Sequence, residues 1–156
     1  MTLAAGDKAP DFDLPTEDGR VSLGGLKGKI VVVYFYPKDD TSGCTAEAQG
    51  FTAAAADFEK AGAVVVGVSK DSAASHAKFR AKYDLAVTLG SAKDDDMVER
   101  YGAWVEKSMY GRKYMGIDRS TFLIDKAGVI RHVWRKVKVS GHVAEVLNEA
   151  KALAAG

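Results

Sequence analysis

The sequence predicts an α/β fold, a central mixed β-sheet flanked by helices, in one domain spanning 1–156. Three observations lead there. Two runs dense in β-branched and aromatic residues, KIVVVYFY (29–36) and AVVVGVS (63–69), bracket a helical pattern. A strand–turn–strand signal follows much later, at STFLID (120–125) and VIRHVW (129–134). An amphipathic helix then closes the chain.

The first 28 residues are rich in Gly, Pro, Asp and Thr, the composition of short strands and turns. After Lys29, residues 30–36 form an unbroken run of β-branched and aromatic residues ending at Pro37, the signature of a strand buried on both faces. Cys44, Ala48, Phe51, Ala55 and Phe58 recur at steps of four and three, so they share one helix face. Strand, helix, strand over this span is a βαβ unit, which requires parallel strands and a right-handed crossover. A second helix is expected from Asp71 or Ser72 to Tyr83, capped by one of the two. A short helix near Asp94–Tyr101 begins with acids. Lys126-Ala127-Gly128 turns one late strand into the next. The last helix, about Ser140 to Ala154, carries the stripe Val143, Val146, Leu147, Ala150 and Leu153. The order β-α-β-α, an irregular section, then β-β-α is the thioredoxin-like plan. In such sheets, sites gather at the carboxyl ends of parallel strands. Pro37 marks such an end, and Cys44 lies just beyond it.

Acids and bases nearly balance at 21 against 22, so no overall field points to nucleic acid or to basic partners. The basic run Arg131, Arg135, Lys136 and Lys138 reads as a solvated strand edge. No apolar run is long enough to cross a bilayer, and the start lacks the basic-then-apolar pattern of a secretory signal. With one cysteine there is no internal disulfide framework. A reducing cytoplasm is expected, and any redox chemistry at Cys44 needs a thiol from another molecule.

Cys44 has two readings. Free cysteine is among the most buried residue types, and Cys44 sits on the apolar face of its helix. Yet it also falls in a first helical turn, where unpaired backbone N–H groups and the helix dipole favour a thiolate. Gly43 allows close backbone approach there, and Thr41 offers a hydroxyl. The residues alone leave both readings open. Other thiol chemistries find no support in the spacing. Cys44 is followed by Thr45, Ala46 and Glu47, so C-x-x-C is absent, and the C-x5-R position is Gly50. His76, His132 and His142 are scattered, and read as core or surface histidines rather than zinc ligands or a hydrolase base.

The motif P-x-x-x-T-x-x-C, here Pro37, Thr41 and Cys44, lies within VVVYFYPKDDTSGCTAEA, which resembles the peroxiredoxins. The block YGAWVEKSMYGRKYMGIDRSTFLIDKAGVI (101–130) resembles the peroxiredoxin Q group, also called bacterioferritin comigratory proteins. The segments GDKAPDFDLPTEDG and VSGHVAEVL resemble it too, so the likeness covers nearly the whole chain.

The resemblance implies a thiol-dependent peroxidase acting on hydrogen peroxide and organic hydroperoxides, monomeric, with no metal, haem or flavin. Cys44 would be the peroxidatic nucleophile and become a sulfenic acid. Thr41 would hydrogen-bond to sulfur and peroxide. Pro37 would shield the sulfur. Arg119 would supply a fixed charge to the thiolate and the leaving oxygen. Glu47 would orient Arg119 through a bidentate pair, unless it is merely an acid in a first turn. Gln49 and Arg80 stand where group members carry a resolving cysteine, and Ser42 stands where proline is common. Neither Gln nor Arg is an engineer's usual replacement, so a natural one-cysteine form is expected. Its reductant would be external: thioredoxin, glutaredoxin, glutathione or another small thiol. Gly50 should weaken its helix by about 1 kcal/mol relative to Ala, and loosening of the first turns after oxidation is expected. Trp104, Met109, Tyr110, Tyr114 and Met115 read as core or loop packing, or as an apolar collar suited to organic hydroperoxides. The rival function is a redox sensor that oxidises at Cys44 and binds a partner without turning over.

Overall fold

The computed structural model describes residues 2–156. The N-terminal part folds as a small antiparallel pair, β1 (Asp13–Thr16) and β2 (Gly19–Ser22), followed by one 3-10 turn at Gly24–Leu26. The central sheet contains β3 (Ile30–Phe35), β4 (Ala63–Ser69), β5 (Thr88–Ser91), β8 (Ser120–Ile124) and β9 (Ile130–Trp134), in the order β5-β4-β3-β8-β9. β3 runs parallel to β4 and β4 to β5, while β8 is antiparallel to both β3 and β9. The sheet is mixed, as expected, and is the thioredoxin-like one.

Every residue of β3 is buried. Its side chains alternate between two cores, as a period-two strand requires. Val31, Val33 and Phe35 face one core, with Val66, Val68, Phe122 and Ile124 from neighbouring strands. Met97 and Val98 cover this side from the short helix α4 (Met97–Arg100). Ile30, Val32, Tyr34 and Tyr36 face the other. That side is covered by α1 (Ser42–Ala53), α2 (Ala55–Lys60), α3 (Ala73–Tyr83) and α5 (His142–Ala155), through Phe51, Phe58, Phe79, Val146 and Ala150.

Three expectations are corrected. The single helix read between β3 and β4 is two, broken at Ala54, whose φ is −94° and ψ 3°; Phe58 still reaches the core, while Ala55 is only half-buried. The irregular section holds a hairpin, β6 (Trp104–Met109) and β7 (Arg112–Ile117), turning at Tyr110-Gly111. Of its aromatic and sulfur-bearing side chains, only Trp104 packs against the core, as one of the two expected readings had it. Met109, Tyr110, Tyr114 and Met115 are exposed, and Trp104, half-buried, lies under the Lys70 ammonium at 4.5 Å. The edge strand β5, four residues of sequence TLGS, is a further element beyond those expected.

The basic run lies on and just beyond edge strand β9, as expected. Arg131 pairs with Asp125, but Arg135 turns back over the Phe122 ring and donates to the Leu3 and Gly102 carbonyls. Among the described residues, no helix is long and apolar enough to cross a membrane.

Candidate active site

β3 ends at Phe35, and the Tyr36 N–H still donates to the Val68 carbonyl at 3.1 Å. The chain then leaves the sheet. Pro37 is exposed, and residues 37–41 form the loop that feeds α1. Thr41 is the N-cap residue, with extended backbone (φ −95°, ψ 157°). Cys44 is therefore in the first turn of α1, where backbone N–H groups lack intrahelical acceptors. Its side chain points inward and is only 1% exposed, packed with Ala48, Phe51 and the β3 aromatics. Cys44 is thus both on the apolar face and at the helix N-terminus.

Arg119 reaches this sulfur from the other half of the chain. It lies between β7 and β8, and its carbonyl accepts from Val137 N–H at 2.9 Å, which anchors its backbone. Its Nη2 donates to Cys44 Sγ at 3.3 Å and its Nη1 to Glu47 Oε1 at 2.7 Å. The guanidinium lies against Gly43: a Cβ there would come within 3.2 Å of Nη2. Glycine at 43 thus gives Arg119 room on the first turn. Burial opposes the charge on Arg119, but Glu47 and Cys44 outweigh it and hold its pKa above the ordinary value.

The expected bidentate pair with Glu47 is corrected. The guanidinium is divided, one nitrogen to sulfur and the other to a single carboxylate oxygen. Glu47 Oε2 is left buried with no hydrogen-bond partner among the described residues. Burial accordingly pushes the Glu47 carboxyl up to about 7, with Arg119 pulling the other way. Glu47 is fully buried and paired, so its first-turn acid reading fails.

Thr41 also differs from expectation. Its hydroxyl donates to the Lys38 carbonyl at 2.9 Å rather than to sulfur. The hydroxyl hydrogen is thereby committed to the loop, and its lone pairs are left to accept from an incoming O–H. Of the five residues expected at the site, the fold joins Cys44, Arg119 and Glu47 by direct contacts. Thr41 and Pro37 shape the loop before them.

Sequence reasoning missed a second cluster behind that loop. Asp39, Asp71 and His76 each present a ligand-type atom within 4.8 Å of the others. Both oxygens of Asp39 and Oδ2 of Asp71 already accept hydrogen bonds, from Tyr36, Ser75 and the Asp39 N–H. That makes the cluster a hydrogen-bonded network rather than an open cation cage. No local pattern announces it, since Asp39 stands 32 residues before Asp71 and lies in a loop, whereas His76 is on α3. The remaining histidines are structural: His142 Nε2 meets Thr121 Oγ1 at 2.8 Å, and His132 stacks on Trp134 at 3.9 Å.

Known proteins share this arrangement of chain and fold. The AhpC/TSA family model matches residues 5–133. A putative peroxiredoxin bcp of Coxiella burnetii is 56% identical, over 94% of this chain and 98% of that one. Peroxiredoxin Bcp of Bacillus subtilis is 47% identical over 97% of each. Among solved structures, the bacterioferritin comigratory protein of Xanthomonas campestris, described for its alkyl peroxide reduction activity, superposes with a TM-score of 0.88 at 40% identity, covering 99% of this chain and 98% of that one. A PrxQ mutant of Xylella fastidiosa reaches 0.91 at 37% identity, covering 97% and 98%. With its only cysteine at the head of α1 and under an arginine from the β7–β8 junction, the chain belongs to the AhpC/TSA family, as a peroxiredoxin of the Bcp or peroxiredoxin Q group.

Proposed function

We propose that Cys44 is the peroxidatic nucleophile of this peroxiredoxin, a thiol-dependent peroxidase, and that an external thiol restores it. The observation that carries the assignment is the divided guanidinium of Arg119, bonded to Cys44 Sγ and Glu47 at once. A cation fixed against sulfur favours the nucleophilic form, and in this reading the same cation stabilises the charge that the leaving oxygen gains.

In the proposed reaction the Cys44 thiolate attacks one peroxide oxygen. The O–O bond breaks, sulfur is oxidised to sulfenic acid, and the other oxygen leaves as hydroxide or alkoxide, becoming water or alcohol on protonation. Thr41 accepts the O–H of the bound peroxide and lines it up with sulfur. Pro37 closes the loop against water. The sulfenic acid then condenses with an external thiol, releasing water and forming a mixed disulfide. A second thiol frees Cys44 as a thiol and leaves with the first as a disulfide. Glutathione, thioredoxin and glutaredoxin all supply this chemistry.

The exposed Met109, Tyr114 and Met115 on the hairpin leading to Arg119 support organic hydroperoxides as substrates beside hydrogen peroxide. The need for outside thiol supports a reducing compartment, the cytoplasm, and the group resemblance supports a monomer.

The test is the rate at which fully reduced protein consumes one equivalent of hydrogen peroxide, with Cys44→Ser as control and intact mass as readout. A rate orders of magnitude above that of free cysteine, with one oxygen gained at Cys44, supports the reading. An ordinary thiol rate sinks it. Repeated turnover with added thiol separates the enzyme from a sensor that reacts once.

A further inference from the structure

The loop carrying the site is tied down on the side away from Arg119. Asp39, in that loop, is buried. Its N–H donates to Asp71 Oδ2 at 2.8 Å. Its Oδ1 accepts from the Tyr36 hydroxyl at 2.6 Å, and its Oδ2 accepts from the Ser75 hydroxyl on α3 at 2.7 Å. Ser69 Oγ, at the end of β4, lies 2.8 Å from both Asp71 Oδ2 and His76 Nε2. If its hydrogen goes to the carboxylate, His76 carries a proton on Nε2, which also faces Asp39 Oδ1 at 3.7 Å.

The next residue shows why such anchoring is needed. Asp40 has φ 59°, the left-handed region that non-glycine residues avoid. It is held there by α3 again, accepting from Lys82 Nζ at 2.7 Å and from the Tyr83 hydroxyl at 2.5 Å. Thr41 follows immediately, and Cys44 three residues later. The head of α1 has little local support, since the Thr41 side chain makes no capping bond.

We propose that Asp39 is a positioning residue for the peroxide reaction: by joining the loop to Ser75 of α3 and to Asp71 beyond β4, it sets where Thr41 and Cys44 meet the peroxide. It touches neither sulfur nor substrate. Its effect is geometric, and in-line attack is sensitive to geometry: a displacement of about 1 Å at a reacting centre lowers a rate about 100-fold.

The inference rests on Cys44 being the peroxide nucleophile. Two reactions of the same sulfur separate positioning from other effects. Peroxide reduction needs Thr41, Cys44 and Arg119 in register, whereas alkylation by iodoacetamide needs only a reachable thiolate. Asp39→Ala is expected to slow the peroxide step about 100-fold and Ser75→Ala about 10-fold, while alkylation holds or rises as the loop loosens. Ser75→Thr, which keeps the hydroxyl, restores the peroxide rate. An unchanged peroxide rate in the folded variants overturns the proposal. So does an equal fall in both reactions, which would place the effect on the thiol itself. Should Asp39→Ala not fold, the Ser75 pair decides alone. Wild-type protein that ignores peroxide refutes the nucleophile assignment, whereas active wild type with unaffected variants refutes only the role of Asp39.

Discussion

Replacing Glu47 by Gln removes one buried charge and almost no volume. The carboxyl is fully buried, it pairs with Arg119 through Oε1 alone, and its Oε2 has no partner among the described residues. Burial raises it from an ordinary 4.5 to about 7. A folded-state value above the unfolded one means that the native protein holds this proton more tightly. The associated stabilisation is complete below about 4.5 and is lost as pH rises through 7. At ~1.4 kcal/mol per tenfold, the gap corresponds to about 3 kcal/mol. The substituted amide would not titrate, and its carbonyl still accepts from Arg119 Nη1. Urea unfolding of wild type and Glu47→Gln should be compared every half pH unit from 4 to 8. The wild-type stability minus that of the variant should fall by about 3 kcal/mol across this range, most steeply between about pH 5 and 6.5. Asp39 and His76 titrate in both proteins and cancel in the difference. Parallel curves would refute the reasoning, because they would mean that Arg119 keeps Glu47 ionised throughout.

Arg119→Lys keeps the charge but cannot bond Glu47 and sulfur together; the peroxide rate constant should fall about 100-fold, the usual loss of one transition-state donor, in stopped-flow measurements. Gly50→Ala should not return the ~1 kcal/mol that helix propensity promises, because its Cβ would meet Val143 Cγ2 at 3.0 Å; the gain should appear in denaturant titrations only when Val143→Ala is added. Tyr110→Asn should raise thermal stability, worth up to about 1 kcal/mol, since Tyr110 holds φ 52° at the hairpin turn while 98% exposed, and Asn tolerates that conformation better. Amide exchange in α1 should rise when Cys44 is oxidised to sulfenic acid, because a sulfur 1% exposed is closed to a bulky thiol; equal exchange in reduced and oxidised protein would count against it.

What the sequence made legible followed from strong local signals. β3 and β4 were read from their β-branched runs almost to the residue, and the C-terminal hairpin from its Lys126-Ala127-Gly128 turn. Ser72 was one of two caps expected for α3, and its hydroxyl does accept from Ser75 N–H at 3.1 Å. β5, TLGS, is too short to show a period. The β6–β7 hairpin lacks both usual signs, since its strands are largely exposed and it turns on Tyr-Gly rather than Asn-Gly. At the site, position after a strand and at a helix head singles out Cys44, whereas the roles of Arg119 and Glu47 rest on the family resemblance, because 75 residues separate sulfur from guanidinium. How the guanidinium divides depends on the approach angle, which a sequence does not contain. Gly50 was read for its weakness in a helix, whereas the fold uses it for close approach to α5.

In the proposed reaction, the architecture around Cys44 has to let one buried sulfur serve two steps with opposite needs. Attack on peroxide requires a fixed, water-poor thiolate, whereas reduction requires access for a second thiol. The fixing comes almost entirely from long-range contacts. Arg119 holds the sulfur from the β7–β8 side, and Asp39 and Asp40 hold the loop from α3. The helix contributes little of its own, having no side-chain cap, no acid in its first turn, and glycines at 43 and 50. An element held by distant contacts lets go when one of them changes. Oxidation would change the central one, because a sulfenic acid is larger than the thiolate, more weakly bound by a cation, and buried at a site 1% exposed. On the proposed reading, the helix that tertiary contacts hold for the first step opens for the second, which the amide-exchange comparison tests.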